Sequence, residues 1–179
     1  MKSGIIILAT LTGAVRDRVR EVQQRYDPKL ASLVMPHLTI TGSSGMGPIS
    51  TRTSVDELRA RLEPITSTTP PMSLPLGPPE RFPQTNVIAL PLDPHGPLRV
   101  LHDRIKGSGL LYEQPRFPFT PHITLSLFPE LAPAKLRKLL AIRITEPVQI
   151  AAIECWQTLD IIETTRLLEL PLTGAPTGA

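Results

Sequence analysis

Two kinds of apolar spacing alternate along the chain. Gly4-Ile5-Ile6-Ile7-Leu8 is a short, β-branched run, which predicts a buried strand. From Ala14 to Tyr26 the period changes. Val15, Val19, Val22 and Tyr26 recur at helical spacing, with Arg16, Asp17, Arg20, Glu21 and Gln24 between them, and Asp27-Pro28 ends the helix. A strand from about His37 to Thr41 follows, then a glycine- and serine-rich loop over 42–45. Ser54 with Glu57 three residues on has the capping-box pattern and opens a helix through Leu58 and Leu62 to about Ile65. Met72 to Leu76 reads as a strand at a sheet edge, because Pro75 has no N–H to give to a ladder. The proline-rich stretch from Gly77 to Gln84 is a loop and the boundary between two halves, about 1–80 and about 81–172.

The order then repeats. Asn86 to Leu92 predicts a strand. Pro97 suits the first position of a helix whose inner face is Leu98, Leu101, His102 and Ile105, ending at Gly107. Thr120 to Phe128 holds another strand, and Ala134 to Ala141 a short helix with Leu136, Leu139 and Leu140 inward. Pro147 to Trp156 and Thr165 to Leu170 read as strands, joined as a hairpin through Asp160. Residues 173–179 are small and polar, the composition of a disordered tail. The two halves share one order of elements: strand, helix, strand, helix, strand.

The repeat has a chemical core. Pro36-His37-Leu38-Thr39-Ile40 and Pro121-His122-Ile123-Thr124-Leu125 have the same form, Pro-His-apolar-Thr-apolar, and use two of the four histidines. One such pair at this separation indicates a duplicated half-domain rather than a solenoid. In a strand, residues i and i+2 share a face about 7 Å apart. His37 and Thr39 therefore face one way and Leu38 and Ile40 the other, and the second motif repeats the arrangement. With the two halves face to face, the centre holds two imidazoles and two hydroxyls. The imidazoles on opposite sides of one phosphorus can serve as general base and general acid, and the hydroxyls can donate to the non-bridging oxygens. That set suits breaking or making a phosphodiester without a metal.

These paired His-x-Thr-x elements resemble the signature of the 2H phosphoesterase superfamily. The run of Phe119, Pro121, His122, Thr124 and Leu125 is similar to that of its 2'-5' RNA ligase and RNA 2',3'-cyclic phosphodiesterase branch. The resemblance implies an α+β fold: a bilobal duplication in which each lobe is an antiparallel sheet with helices packed outside and the motif strands face a central cleft. It implies hydrolysis of 2',3'-cyclic phosphate ends of RNA or nucleotides to 2'-phosphates, with the reverse reaction making a 2'-5' linkage. It also implies catalytic His37 and His122 and substrate-binding Thr39 and Thr124. Family members often carry an Arg and an aromatic residue just before the second motif, where Arg116 and Phe117 stand here. Arg116 would contact phosphate and Phe117 or Phe119 stack on a base, with a solvated Arg and core Phe residues as the equal alternative. Tyr112 and Arg81 are weaker candidates. Two alternatives remain open at this level: an RNA-binding module with little turnover, and a cyclic phosphodiesterase for a small nucleotide metabolite.

Composition adds limits. The chain has 179 residues, a net charge of +3 and one cysteine, Cys155, in an apolar run that reads as buried strand. The basic balance suits an anionic substrate. A single cysteine excludes an intrachain disulfide. His95 reads as a turn residue and His102 as a helix-packing one. The histidines show no i, i+2 or i, i+4 pairing with one another, so neither a metal nor another cofactor is expected. Arg16, Arg18, Arg20 and Arg25 line one helix and read as a solvated face. No Gly-x-x-x-x-Gly-Lys-Ser/Thr loop is present, and Lys106-Gly107 does not extend to a nucleotidyl-transferring ligase pattern. Ile5 to Leu11 lacks the flanks of a signal peptide, so the expectation is a cytoplasmic monomer that meets RNA ends or cyclic-phosphate nucleotides and no membrane.

Overall fold

In the computed structural model the described residues are 3–42, 44–159 and 164–175. Ser43, Asp160 and residues 176–179, on which parts of the expected loop, hairpin turn and tail fall, lie outside them. The strands are β1 (Gly4–Thr10), β2 (His37–Thr41), β3 (Met72–Leu74), β4 (Glu80–Arg81), β5 (Ile88–Pro91), β6 (His122–Ser126), β7 (Val148–Ile150), β8 (Ala152–Thr158) and β9 (Thr164–Pro171). The helices are α1 (Gly13–Tyr26), α2 (Pro28–Leu33), α3 (Val55–Thr66), α4 (Pro97–Lys106) and α5 (Pro133–Leu140). The strands form three antiparallel sheets, ordered β2-β1-β8-β9, β4-β5-β6 and β3-β7.

The duplication extends to register. Thr10 pairs with His37 and Leu8 with Thr39; in the other sheet Pro91 pairs with His122 and Ala89 with Thr124. Each ladder is interrupted once, between Ile7 and Leu8 in one and between Ile88 and Ala89 in the other. In the first, the buried hydroxyl of Thr41 takes the Ile7 N–H at 3.1 Å, so the bulge leaves no orphan donor there. Leu38, Ile40, Ile123 and Leu125 are all buried to within 1 %. Each contributes about 1.5–3 kcal/mol by leaving water. A slip of one residue would put His37 or His122 into the core instead, which is why the register is fixed.

The second half of the chain does not stay in one lobe. β8 and β9 join the sheet of β1 and β2, and β7 pairs with β3, so residues 81–172 contribute to both sides of the molecule. The strand expected from Pro147 to Trp156 is two strands broken at Ala151, each serving a different sheet. β3 stops at Leu74, short of the expected Leu76, because Pro75 has no N–H for the ladder, and Ser54 caps α3 as expected by accepting from the Glu57 N–H at 3.1 Å. Asp27-Pro28 ends α1 but also starts α2, with Pro28 at its first turn and Asp27 as its cap. Two residues assigned to the tail are anchored: the N–H groups of Thr173 and Gly174 donate to the carbonyls of Thr66, the last residue of α3, and Thr69 just past it. One contiguous apolar core runs through both lobes, with Cys155 inside it. Among the described residues no helix is long and apolar enough to cross a membrane.

Candidate active site

β2 and β6 are in direct contact across the junction of the two sheets. The strand period leaves His37, Thr39, His122 and Thr124 partly exposed while their neighbours are buried. Both histidines are held in the same way. The Nδ1 of His37 donates to the Met35 carbonyl at 2.8 Å and that of His122 to the Thr120 carbonyl at 2.7 Å, each two residues back. A carbonyl only accepts, so Nδ1 carries the hydrogen and Nε2 is the ring nitrogen left to accept on both rings. Burial lowers both pKa values below 6.5, and the backbone carbonyls oppose this. The charge of His122 lowers His37 further, while Glu154 raises His37 and Glu80 raises His122. Neither the Thr39 nor the Thr124 hydroxyl is engaged by a hydrogen bond among the described residues, so both can donate to an anion.

Lobe one places the second motif through two buried polar side chains. Gln23 of α1 donates from Nε2 to the Thr124 carbonyl at 2.9 Å. Asp27, 1 % exposed, accepts from the Leu30 N–H with Oδ1 and from the Leu127 and Phe128 N–H groups with Oδ2, at 2.7 and 2.9 Å. One carboxylate thus caps α2 and holds the end of β6.

A cleft of about 390 Å³ opens over the face of the four-stranded sheet that carries His37 and Thr39. Its floor is Ile6 and Leu8 of β1, with Glu154 and Trp156 of β8 beyond them and Arg166 of β9 at the far side. His122 stands beside Phe82, whose ring meets the imidazole edge-on at 4.8 Å between centroids.

β2 and β6 thus carry the four motif residues on touching strands, near enough for the charge of His122 to act on His37, although His122 and Thr124, like the other candidates, lie outside the cleft lining. Arg116 and Phe117 are exposed and lie outside the cleft lining. The Phe117 carbonyl accepts from the Gly45 N–H at 2.9 Å, so that segment ties the loop after β2 to the approach to β6. Phe119 is a core residue stacked on His102, with centroids 3.9 Å apart. Arg81 staples the β4–β5 turn through the Thr85 carbonyl and the Asn86 side chain. Tyr112 donates to the Ile105 carbonyl, and burial pushes its pKa up to about 12. His95 sits in an exposed turn closed by Asp93, and His102 packs in α4, both as expected. Glu154, Trp156 and Phe82 were not singled out from the sequence. Trp156 is the chain's one tryptophan, and its place in an i, i+2 pair with Glu154 at the end of an apolar run was the only available signal.

Comparison with known proteins agrees with this architecture. The model of the 2'-5' RNA ligase superfamily matches residues 12–160. A Geobacillus kaustophilus protein named "Putative phosphoesterase GK0864" is 32 % identical over 126 residues, 70 % of this chain and 68 % of that one. A Bacillus cereus protein of the same description is 30 % identical over an equal span, 70 % of this chain and 69 % of its own. Among solved structures, Thermus thermophilus TT0787 superposes with a TM-score of 0.64 at 16 % identity, covering 95 % of this chain and 98 % of its own. Escherichia coli LigT complexed with 3'-AMP gives 0.59 at 18 %, covering 97 % and 99 %. At such identities the structural likeness speaks for the fold, while the family model and the relatives speak for descent. The chain belongs to the 2'-5' RNA ligase superfamily, whose paired-histidine phosphoesterase signature its two Pro-His-x-Thr motifs resemble.

Proposed function

We propose that this protein is a phosphodiesterase that opens 2',3'-cyclic phosphate ends of RNA or nucleotides to 2'-phosphates by two-histidine acid–base catalysis. The observation that carries the reading is the matched pair of imidazoles, each with Nδ1 pinned to a carbonyl and Nε2 left to react, on two strands in contact. One Nε2 takes a proton from water as the water oxygen bonds to phosphorus. The bond from phosphorus to the ribose 3'-oxygen breaks, and the other imidazolium gives that oxygen its proton. Thr39 and Thr124 donate to the non-bridging oxygens, where charge builds in the transition state. With an RNA 5'-hydroxyl in place of water, the same ring opening breaks the bond from phosphorus to the 3'-oxygen and forms a 2'-5' linkage.

A nucleotide, free or at an RNA end, is the substrate class favoured by the size of the cleft, which lies in the range of small-ligand pockets. The likeness to LigT, a structure of which holds 3'-AMP, supports the same class. The test is hydrolysis of a 2',3'-cyclic mononucleotide and of a short RNA with the same end, in EDTA, by the native protein and by His37→Ala and His122→Ala. Turnover that survives EDTA and falls about a thousandfold or more in each variant is expected. Turnover that persists in both variants would make the motifs structural. Affinity for RNA with no hydrolysis by the native protein would move the chain to the binding-module reading.

A further inference from the structure

The cleft floor carries groups to which proton transfer by two histidines gives no contact with substrate, although the charge of Glu154 raises the pKa of His37. On β8, Glu154 and Trp156 face the cleft while Ile153 and Cys155 are in the core. The ladders set Leu8 between Thr39 and Glu154, and Ile6 beside Trp156, which in turn pairs with Arg166. Two strand spacings put Glu154 roughly 10 Å from Thr39, a span comparable with that from phosphate to base within one nucleotide. Glu154 is only 8 % exposed. Its Oε2 accepts from the Trp156 indole N–H at 2.9 Å and has the Arg166 guanidinium at 3.7 Å. A carboxylate at the bottom of an apolar cleft is costly to desolvate, and packing alone does not call for one. The indole bond fixes the ring, whose surface is only partly covered. Lobe two repeats the register, with Glu80 and Phe82 standing to Thr124 as Glu154 and Trp156 stand to Thr39, but Glu80 is exposed and neither residue lines the cleft.

We propose that Ile6, Leu8, Glu154 and Trp156 form a nucleobase subsite. The indole takes the face of the base, and the Glu154 carboxylate accepts from a base edge that presents amino hydrogens, guanine first. The inference rests on the phosphodiesterase reading of the same cleft. Guanine offers adjacent N1–H and amino donors that match the two oxygens of a carboxylate. Adenine and cytosine offer one amino group each. Uracil sets a carbonyl on either side of its single N–H, and those oxygens would face the carboxylate. Because the carboxylate is buried in the cleft on lobe one and its counterpart Glu80 is exposed on lobe two, the subsite also gives a nucleotide one orientation between two nearly symmetric motifs.

Trp156 is the only tryptophan, so its fluorescence reports the subsite without turnover. The full chain is titrated with 2'-GMP, 2'-UMP and inorganic phosphate. Saturable quenching by 2'-GMP, about tenfold tighter than by 2'-UMP and absent with phosphate, is expected. In kinetics, kcat/KM for guanosine 2',3'-cyclic phosphate should exceed that for the uridine compound about tenfold, and Glu154→Gln should reduce that ratio about fivefold or more. A ratio near one in the native protein, or one that Glu154→Gln leaves unchanged, overturns the subsite. Should the variant fail to fold, the native ratio and the quenching decide. Base-selective quenching without hydrolysis of either compound would sink the phosphodiesterase reading and keep the subsite. Equal hydrolysis of both without base-selective quenching would do the reverse.

Discussion

His37 and His122 have pKa values pushed the same way by the same cause, and this sets the pH behaviour of the centre. Burial favours the neutral ring in each, and the positive charge of His122 lowers His37 further. Acid–base catalysis needs one ring neutral and the other charged. The profile of kcat/KM against pH should therefore be bell-shaped, with apparent values that belong to the pair and a maximum on the acid side of about 6.5. A flat profile between pH 5 and 9 would count against both rings acting. The threonines make a separate prediction. Thr39→Val and Thr124→Val keep the β-branched shape and remove a donor from the transition state, so each should lower kcat about tenfold to a hundredfold with little change in KM, read by steady-state kinetics. A rise in KM at constant kcat would instead mean that the hydroxyls bind the ground state equally well. These four residues were legible in the sequence because strand period alone puts i and i+2 on one face. Glu154 and Trp156 were not, because their meaning depends on β8 lying beside β1, a pairing of residues some 150 positions apart. Of the two readings open for Phe119, base stacking and core packing, the second holds, since its ring partner is His102 of α4, a contact the sequence does not display.

At the scale of elements, the second motif strand is held by a helix junction from the other lobe. Asp27 caps α2 and receives two N–H groups just beyond β6. Asp27→Asn can orient its amide to serve only one side, leaving an NH₂ group facing N–H donors or an uncapped α2. Loss of one to two charge-assisted bonds in a buried site should destabilise the fold by about 2–3 kcal/mol, measured as a shift in the urea midpoint at constant slope. If Asp27 also positions the active strand, kcat should fall in the folded variant. Unchanged kcat would confine Asp27 to stability. Helices α1, α3 and α4 were legible from their apolar stripes and end signals. The six residues of α2 were not, because they are too few to show a period, and Asp27-Pro28 reads equally well as a stop or a start. β7 and β8 fused into one expected strand because their apolar residues run on, while the break at Ala151 is made by a change of sheet.

For the whole molecule, charge and burial act on different observables. The arginines of α1 are engaged: Arg16 with Asp17, Arg18 with Glu21, Arg20 with the Val34 carbonyl, and Arg25 over the Tyr26 ring. A small nucleotide in the cleft should therefore show a shallow salt dependence, with a slope of log affinity against log salt of about 1–2 in magnitude; a much steeper slope with RNA would reveal a polymer track. The repeat and the fold class were legible at this scale, whereas the return of β8 and β9 to the first sheet was not, since element order carries no record of which edge a late strand joins. The fold buries polar groups as well as apolar ones, and three imidazoles share one direction of shift. His37, His102 and His122 are all lowered from 6.5, first by desolvation. His102 is 2 % exposed, and its Nε2 has no hydrogen-bond partner among the described residues and faces Gly45, where a Cβ would collide with it. The unfolded chain takes up protons near 6.5 and the folded chain only at lower pH. Their contribution to stability is thus full above about 6.5 and is lost as pH falls from there through the lowered folded values. Urea midpoints should fall between pH 7.5 and 5.0, and His102→Leu should fall less than the native protein across the same interval. A midpoint that is flat or rises toward pH 5.0 would mean that these rings are not held neutral. The acid-side activity maximum then lies where the fold is losing stability, so measured rates near pH 5 should decline with time of incubation, and a bound nucleotide should slow that decline by mass action.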